Sequence, residues 1–248
     1  MKNNLSLLTL RRHYTNPYAL YDELRRQDTL YYDAHSQSWI TARHDVVAAL
    51  LDDERFVSSS GAEVGHAGSP HLASVGKQLL FMNGAAHRRA QSLMLKPLSR
   101  MTKELASDMR QFVRSTLLTA CKKGELDIVK QFSAPLSLFT IAHVMGVPYK
   151  NLTDLQDLER WSDTFGDVTS GFSQGDTTDI QKYEEYFRQL IRAKRRQPGS
   201  DLLSALIQAE DVFPSEDDLI ANCMMIFGAG RITTKKALGN GISFLMHE

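Results

Sequence analysis

The side chains best suited to chemistry lie close together near the end of the chain, in Ile226-Phe227-Gly228-Ala229-Gly230-Arg231-Ile232-Thr233-Thr234. Apolar residues at helical spacing surround them, so the stretch reads as the middle of a long final helix over about 215–248. Glycine inside a helix costs about 1 kcal/mol relative to alanine, and threonine is also unfavourable there. A helix carrying two of each needs a close backbone approach, a local kink or a hydroxyl facing a cavity. The Thr233 hydroxyl can serve such a cavity or bond back to its own helix. The other reactive side chains are scattered. Cys121 sits at a helix end beside Lys122 and Lys123, and Cys223 precedes Ala229 on the same final helix. Two isolated cysteines form neither a disulfide framework nor a metal-ligand spacing, which fits a reducing compartment. There is no Gly-x-Ser-x-Gly elbow, phosphate-cradling glycine loop or His-Glu-x-x-His pattern, so hydrolase and transferase sites find no support.

Composition bounds the rest. The 248 residues include 29 basic and 29 acidic side chains, 42% apolar residues and 23% charged ones. That is the profile of a soluble globular protein with a real core. The neutral balance gives no pull toward nucleic acid or an acidic membrane, and neither is expected as a partner. The cluster Arg192, Lys194, Arg195, Arg196 reads as a solvated helix end. Leu5, Leu7, Leu8 and Leu10 are followed at once by Arg11 and Arg12. That run is too short for a signal sequence or a membrane span, and a cytoplasmic location is expected.

The elements that must position the final helix are mostly helical themselves. Asn16-Pro17 caps and opens a helix over 17–26. Leu30–Tyr32 and Trp39–Thr41 then flank a polar turn, a hairpin signal. Val46, Val47, Leu50 and Leu51 give the next helix one buried face. A Gly-, Ser- and His-rich loop covers about 58–74. Helices follow over 85–95 and 102–121, then an extended run Leu126–Val129. The next helix starts near Ser133-Ala134-Pro135 and ends at Gly146. Two more, 152–165 and 179–195, flank a loose segment over 166–178, and a short one covers 201–210. The expected fold is mainly α, a single domain over 1–248 with a small antiparallel β element near the N-terminus.

Several of these stretches together carry a family resemblance. Ala229-Gly230 followed two residues on by Thr233-Thr234 resembles the central oxygen-binding helix of cytochromes P-450. Asp201–Ile207 and Asp217–Asn222 resemble the approach to it. Asp127-Ile128-Val129, Ala134-Pro135-Leu136 and Ile141–Pro148 resemble the middle of that domain, and 16–56 its opening helices and hairpin. Met82-Asn83-Gly84-Ala85-Ala86-His87-Arg88-Arg89 looks like the start of the helix that touches haem. The resemblance runs the length of the chain and is to the soluble bacterial type. It implies an incomplete P-450-like helical fold ending at the central helix, haem as cofactor, and monooxygenation of a small apolar organic substrate. The loops over 58–74 and 166–178 would cover that substrate.

The chain departs from the family at the positions that matter most. The family holds iron through a cysteine thiolate in a Gly-rich loop, which favours O–O cleavage; neither Cys121 nor Cys223 lies in such a loop, so no metal ligand is assigned. The family places an acid before the threonine as a proton relay. Aligned on Ala229-Gly230, the alcohol is Thr233 and the acid position is Ile232, which cannot relay a proton. The family pairs a histidine with an arginine one turn on to hold the haem propionates; here His87 is present but the partner is Gln91, which brings no charge. His87, Gln91, Ala229 and Gly230 are the haem contacts the resemblance implies, and Thr233 the oxygen-side hydroxyl. The chain alone is therefore expected to be inactive. Its final helix, with Leu238, Ile242, Phe244, Leu245 and Met246 uncovered, should meet a second polypeptide completing the fold, another copy of itself, or a partner enzyme that a haem-free helper would stabilise.

Overall fold

The computed structural model describes residues 16–26, 29–34, 37–58, 75–169, 177–209 and 212–247. They fall into two compact units, Met1–Val57 and Ser58–Glu248. Residues 59–74 of the loop predicted over 58–74, and the middle of the second, 170–176, lie outside the described residues.

In the first unit, α1 (Tyr18–Arg26) begins where the sequence places its cap, with Asn16 Oδ1 accepting from the Tyr18 N–H at 3.3 Å. Leu20 and Leu24, one turn apart, bury against Tyr31, Ile40 and Ala42. Tyr31 and Ile40 come from the hairpin β1 (Tyr31–Asp33) and β2 (Ser38–Ile40), paired in the antiparallel register Tyr31↔Ile40, Tyr32↔Trp39. The rings of Tyr32 and Trp39 meet at 5.1 Å across the strands. Helix α2 (His44–Asp52) forms as expected, but its predicted buried face does not: none of its residues is buried and Leu51 is 84% exposed. The reason is that α1 and the hairpin fill the unit's small core without it.

The second unit opens with 3-10 turns Val75–Lys77 and Leu79–Phe81, then α3 (Gly84–Glu104) and α4 (Ala106–Lys123). The helix expected over 85–95 instead continues through Pro97 to Glu104, and the chain bends at Leu105, where buried Met101 and Leu105 anchor it to the core. Proline removes one helical hydrogen bond, and core packing outweighs that loss here. The expected extended run Leu126–Val129 turns helical at Ile128. Ile128–Ser133 is a π-helical turn, because Asp127, itself extended, accepts through Oδ1 from the Val129 and Lys130 N–H groups at 3.0 and 2.8 Å and caps a helix there. Helix α5 (Ala134–Met145) carries Pro135 in its first turn and ends at Gly146, φ +66°. Gly146 is doubly constrained, since a Cβ there would lie 2.3 Å from the Asp201 side chain. Helix α6 (Gln156–Thr169), reached through the turn Leu152–Leu155, runs past its predicted end. Helices α7 (Thr177–Arg196), α8 (Leu202–Ile207) and α9 (Glu216–Leu245) complete the unit.

Thirty residues make α9 about 45 Å long at 1.5 Å per residue, and α5, α6 and α7 all pack on it. Its first half is almost wholly buried, from Leu219 to Gly228. Phe227 joins Phe165, Tyr183 and Phe187 in an edge-to-face aromatic cluster, and the Tyr183 hydroxyl donates to the Met224 carbonyl at 3.0 Å. Asn222 ties the helix to the approach to α3: its Oδ1 accepts from Leu79 N–H at 2.7 Å, and its Nδ2 donates to the carbonyls of Lys77 (3.1 Å) and Asp218 (2.7 Å). At the basic end of α7 Arg192, Arg195 and Arg196 are solvated as expected, while Lys194 pairs with Asp201, the cap of α8, and Arg195 with Glu216 in the first turn of α9. The stretch Ile128–Met145 is long and apolar enough to cross a membrane, but Leu136, Leu138, Ile141, Val144 and Met145 face the core.

Two outcomes follow for stability. Asn222→Leu strands the Leu79 N–H and should cost about 2 kcal/mol in urea unfolding; an unchanged midpoint would show that the tie is dispensable. Burial pushes the Tyr183 phenol well above its ordinary range and Tyr186 up to about 12. The unfolded chain ionises both near pH 10 and the folded chain does not. The stability they contribute is thus complete below about pH 10 and is lost as pH rises past it, which a pH series of thermal melts will register.

Candidate functional site

The middle of α9 divides its side chains among three directions. Gly230 faces α5: a Cβ on it would lie 2.6 Å from Ile141 Cδ1, inside van der Waals contact. The close backbone approach read from the glycines is therefore real at Gly230. At Gly228 a Cβ would meet nothing within 4 Å. Ile232 turns toward α6, its Cδ1 only 2.9 Å from where a Cβ on Gly166 would stand. The position at which a proton-relaying acid was sought thus holds a side chain packed against a glycine of the neighbouring helix. Ala229 and Thr233 take the third direction, an exposed stripe continued by Lys236, Ala237 and Asn240. The Thr233 hydroxyl donates to the Ala229 carbonyl at 2.5 Å, within its own helix.

Between these directions lies a residue that sequence reasoning passed over. Arg231 is fully buried, 0% exposed. Its Nε donates to Ser162 Oγ at 3.0 Å, and Nη1 to Glu159 Oε1 at 3.1 Å. Nη2 donates to the Glu159 carbonyl at 3.1 Å and to Asp163 Oδ1. Lys235, one turn on, stands 3.8 Å from the same Asp163 oxygen. The signal was present in the sequence. A lone arginine interrupts an apolar helix, and Glu159, Ser162, Asp163 and Gly166 fall on one face of another.

His87 and Gln91 lie one turn apart in the first part of α3, His87 half-buried and Gln91 exposed. Gly84 at φ +59° and Asn83 set the entry to this helix, and the Asn83 amide pairs with the Ser58 backbone at 2.9 and 3.2 Å. Helix α3 packs chiefly on α8. The structure therefore keeps His87 and Gln91 on one element and Ala229, Gly230 and Thr233 on another, and among the described residues no hydrogen bond joins the two sets. Cys223 is buried in the core on α9, where burial pushes its thiol far above the usual range. Cys121 is exposed at the end of α4. Among the described residues no cluster of three or more His, Cys, Asp or Glu side chains could hold a metal ion.

The fold matches that of cytochromes P450, and the sequence is similar to bacterial members of that family. No family model matches it. A cytochrome P450 of Bacillus subtilis is 28% identical over 256 residues, covering 97% of this chain and 61% of that protein. The biotin biosynthesis cytochrome P450 of the same species is 26% identical, with 94% and 61% covered. Cytochrome P450 109 of Bacillus spizizenii is 24% identical, with 94% and 56% covered. Among solved structures, P450BioI in complex with a fatty-acyl acyl carrier protein superposes with a TM-score of 0.83 at 24% identity, over 96% of this chain and 63% of that one. The polyketide-synthase cytochrome P450 PksS of B. subtilis gives 0.81 at 23%, over 100% and 63%. The chain thus spans about three fifths of the length of these relatives.

The two glycines give opposite expectations. Gly230→Ala should destabilise by about 1–3 kcal/mol, since Ile141 is boxed into the core. Gly228→Ala should be neutral or stabilise by up to about 1 kcal/mol. Equal effects in urea unfolding would contradict the packing described here.

Proposed function

We propose that this chain is the N-terminal portion of a P450-like protein and that, by itself, it does not carry out the family's haem-dependent monooxygenation of a small apolar substrate. The state of its two cysteines supports this reading most directly. A thiolate ligand must be deprotonated and must reach the metal. Cys223 is fully buried in apolar surroundings that keep its thiol protonated. Cys121 stands exposed at the end of α4 beside Lys122 and Lys123, outside any glycine-rich loop.

Haem, where the family binds it, supplies oxygen activation with electron density from the thiolate. His87, Gln91, Ala229 and Gly230 are the residues that would touch it here, and Thr233 the one that would face bound oxygen. They do not amount to a fit. None ligates iron, Gln91 brings no charge to a propionate, Ile232 packs on Gly166, and the Thr233 proton is already given to Ala229. No chemical step is assigned to them.

A second reading has its own observation. Phe244, Leu245 and Met246 are 63–74% exposed at the end of α9. On α4, Met109, Val113, Leu117 and Leu118 line an apolar groove edged by Arg110 and Arg114. Contiguous apolar surface of this kind marks an interface. It supports a haem-free helper that binds a partner enzyme, or a chain completed by a second polypeptide, in a cytoplasmic setting.

The haemin-loaded chain, reduced and exposed to carbon monoxide, tests the first reading: it should give no Soret band of a thiolate-ligated carbonyl. Such a band would overturn the proposal. Sedimentation at micromolar concentration tests the second, which expects self-association or capture of a partner; a monodisperse monomer that binds nothing would count against it.

A further inference from the structure

Helix α9 is well held in its first half and poorly held in its second. Tyr183, Phe187 and the aromatic cluster grip it as far as Phe227. Next come Gly228 and Gly230, which give it no side chain to grip and make a natural place to bend. Arg231 is the last fully buried residue of the helix. Beyond it every described residue is half-buried or exposed.

Arg231 does not rest on the core as an aliphatic side chain would. It reaches across to a single turn of α6 and engages Glu159, Ser162 and Asp163 with four hydrogen bonds. The two carboxylates are 33% and 43% exposed, so the acids stand at the edge and the cation stands inside. Ile232 against Gly166 and Lys235 beside Asp163 continue the same seam. Two residues further along a helix is a rotation of about 200°. Anchoring Arg231 to α6 therefore turns Thr233, and with it Ala229, to the open side of the molecule.

We propose that Arg231 is the positioning residue of this site: by fastening the turn after the glycines to α6, it stops α9 hinging there and presents Ala229 and Thr233 on the open face. The link to the Ala229–Thr233 face rests on the reading of α9 as the oxygen-side helix of the family. The fastening itself does not.

Amide hydrogen exchange on the full chain tests it. Arg231→Met should speed exchange at least about tenfold in 229–236 and 159–166. Residues 180–191 and 216–226 should keep their protection, and buried Cys223 should stay closed to thiol reagents. Arg231→Lys keeps the charge but reaches fewer partners, and should recover part of the protection. Should Arg231→Met fail to fold, Asp163→Asn removes one partner from the exposed edge and should give the same local pattern in weaker form. A uniform rise across all helices with Cys223 opening would reduce Arg231 to a general stabiliser and overturn the proposal. So would unchanged exchange in 229–236. Failure of haemin to bind leaves this pattern untouched, whereas a flat exchange response removes Arg231's role whatever haemin does.

Discussion

A guanidinium with no exposed surface is the constraint around which this molecule is arranged. Burying a charge is tolerable only when it is paired and its hydrogen-bonding groups are met. Arg231 meets that condition by holding one turn of α6, and the requirement passes outward from there. Helix α6 must present two acids and a small hydroxyl on one face. It must also present a glycine one turn later so that Ile232 can close against it. Helix α5 approaches from another side, closely enough that a Cβ at 230 would press on the Ile141 side chain. Two helices are thereby fixed around one short segment of α9, and what they leave uncovered is the Ala229–Thr233 stripe.

That arrangement gives the departures from the family a common physical sense. In place of an acid at 232 there is an isoleucine, and its side chain has a defined use as a packing element against Gly166. The acids are not lost from the neighbourhood. They stand on α6, neutralised by the arginine beside that isoleucine. The Thr233 hydroxyl, with no acid to answer, satisfies itself on the preceding turn. A proton relay and a helix seam compete for the same few positions, and in this chain the seam occupies them.

Much of the fold was legible in the sequence, because its signals are local. Asn16-Pro17 opened a helix, Gly146 closed one, Pro135 marked a first turn, and the runs Leu30–Tyr32 and Trp39–Thr41 flanking a polar turn marked the hairpin. The misreadings came where tertiary packing overrode local preference. The helical pattern fades after Leu95, yet Met101 and Leu105 are pulled into the core and carry α3 on to Glu104. Leu126–Val129 reads as an extended run, yet the Asp127 carboxylate caps a helix that begins at Ile128. The four apolar residues of α2 predict a buried face that its own unit does not supply. Of the site, the glycines and Thr233 could be read because glycine and threonine are costly inside a helix. Arg231 could not be weighed properly, since its meaning depends on acids about seventy residues earlier in the chain, and only the fold brings them together.

The central claim is that Arg231 and the acids of α6 act as one unit, and a double-mutant cycle between Arg231 and Asp163, read by urea unfolding, tests it most directly. Arg231→Met, Asp163→Asn and the double variant should show a coupling of about 1–3 kcal/mol, with the double variant more stable than the sum of the single losses implies. Additive losses would mean that the two side chains do not depend on each other, and the account built on their pairing would fail.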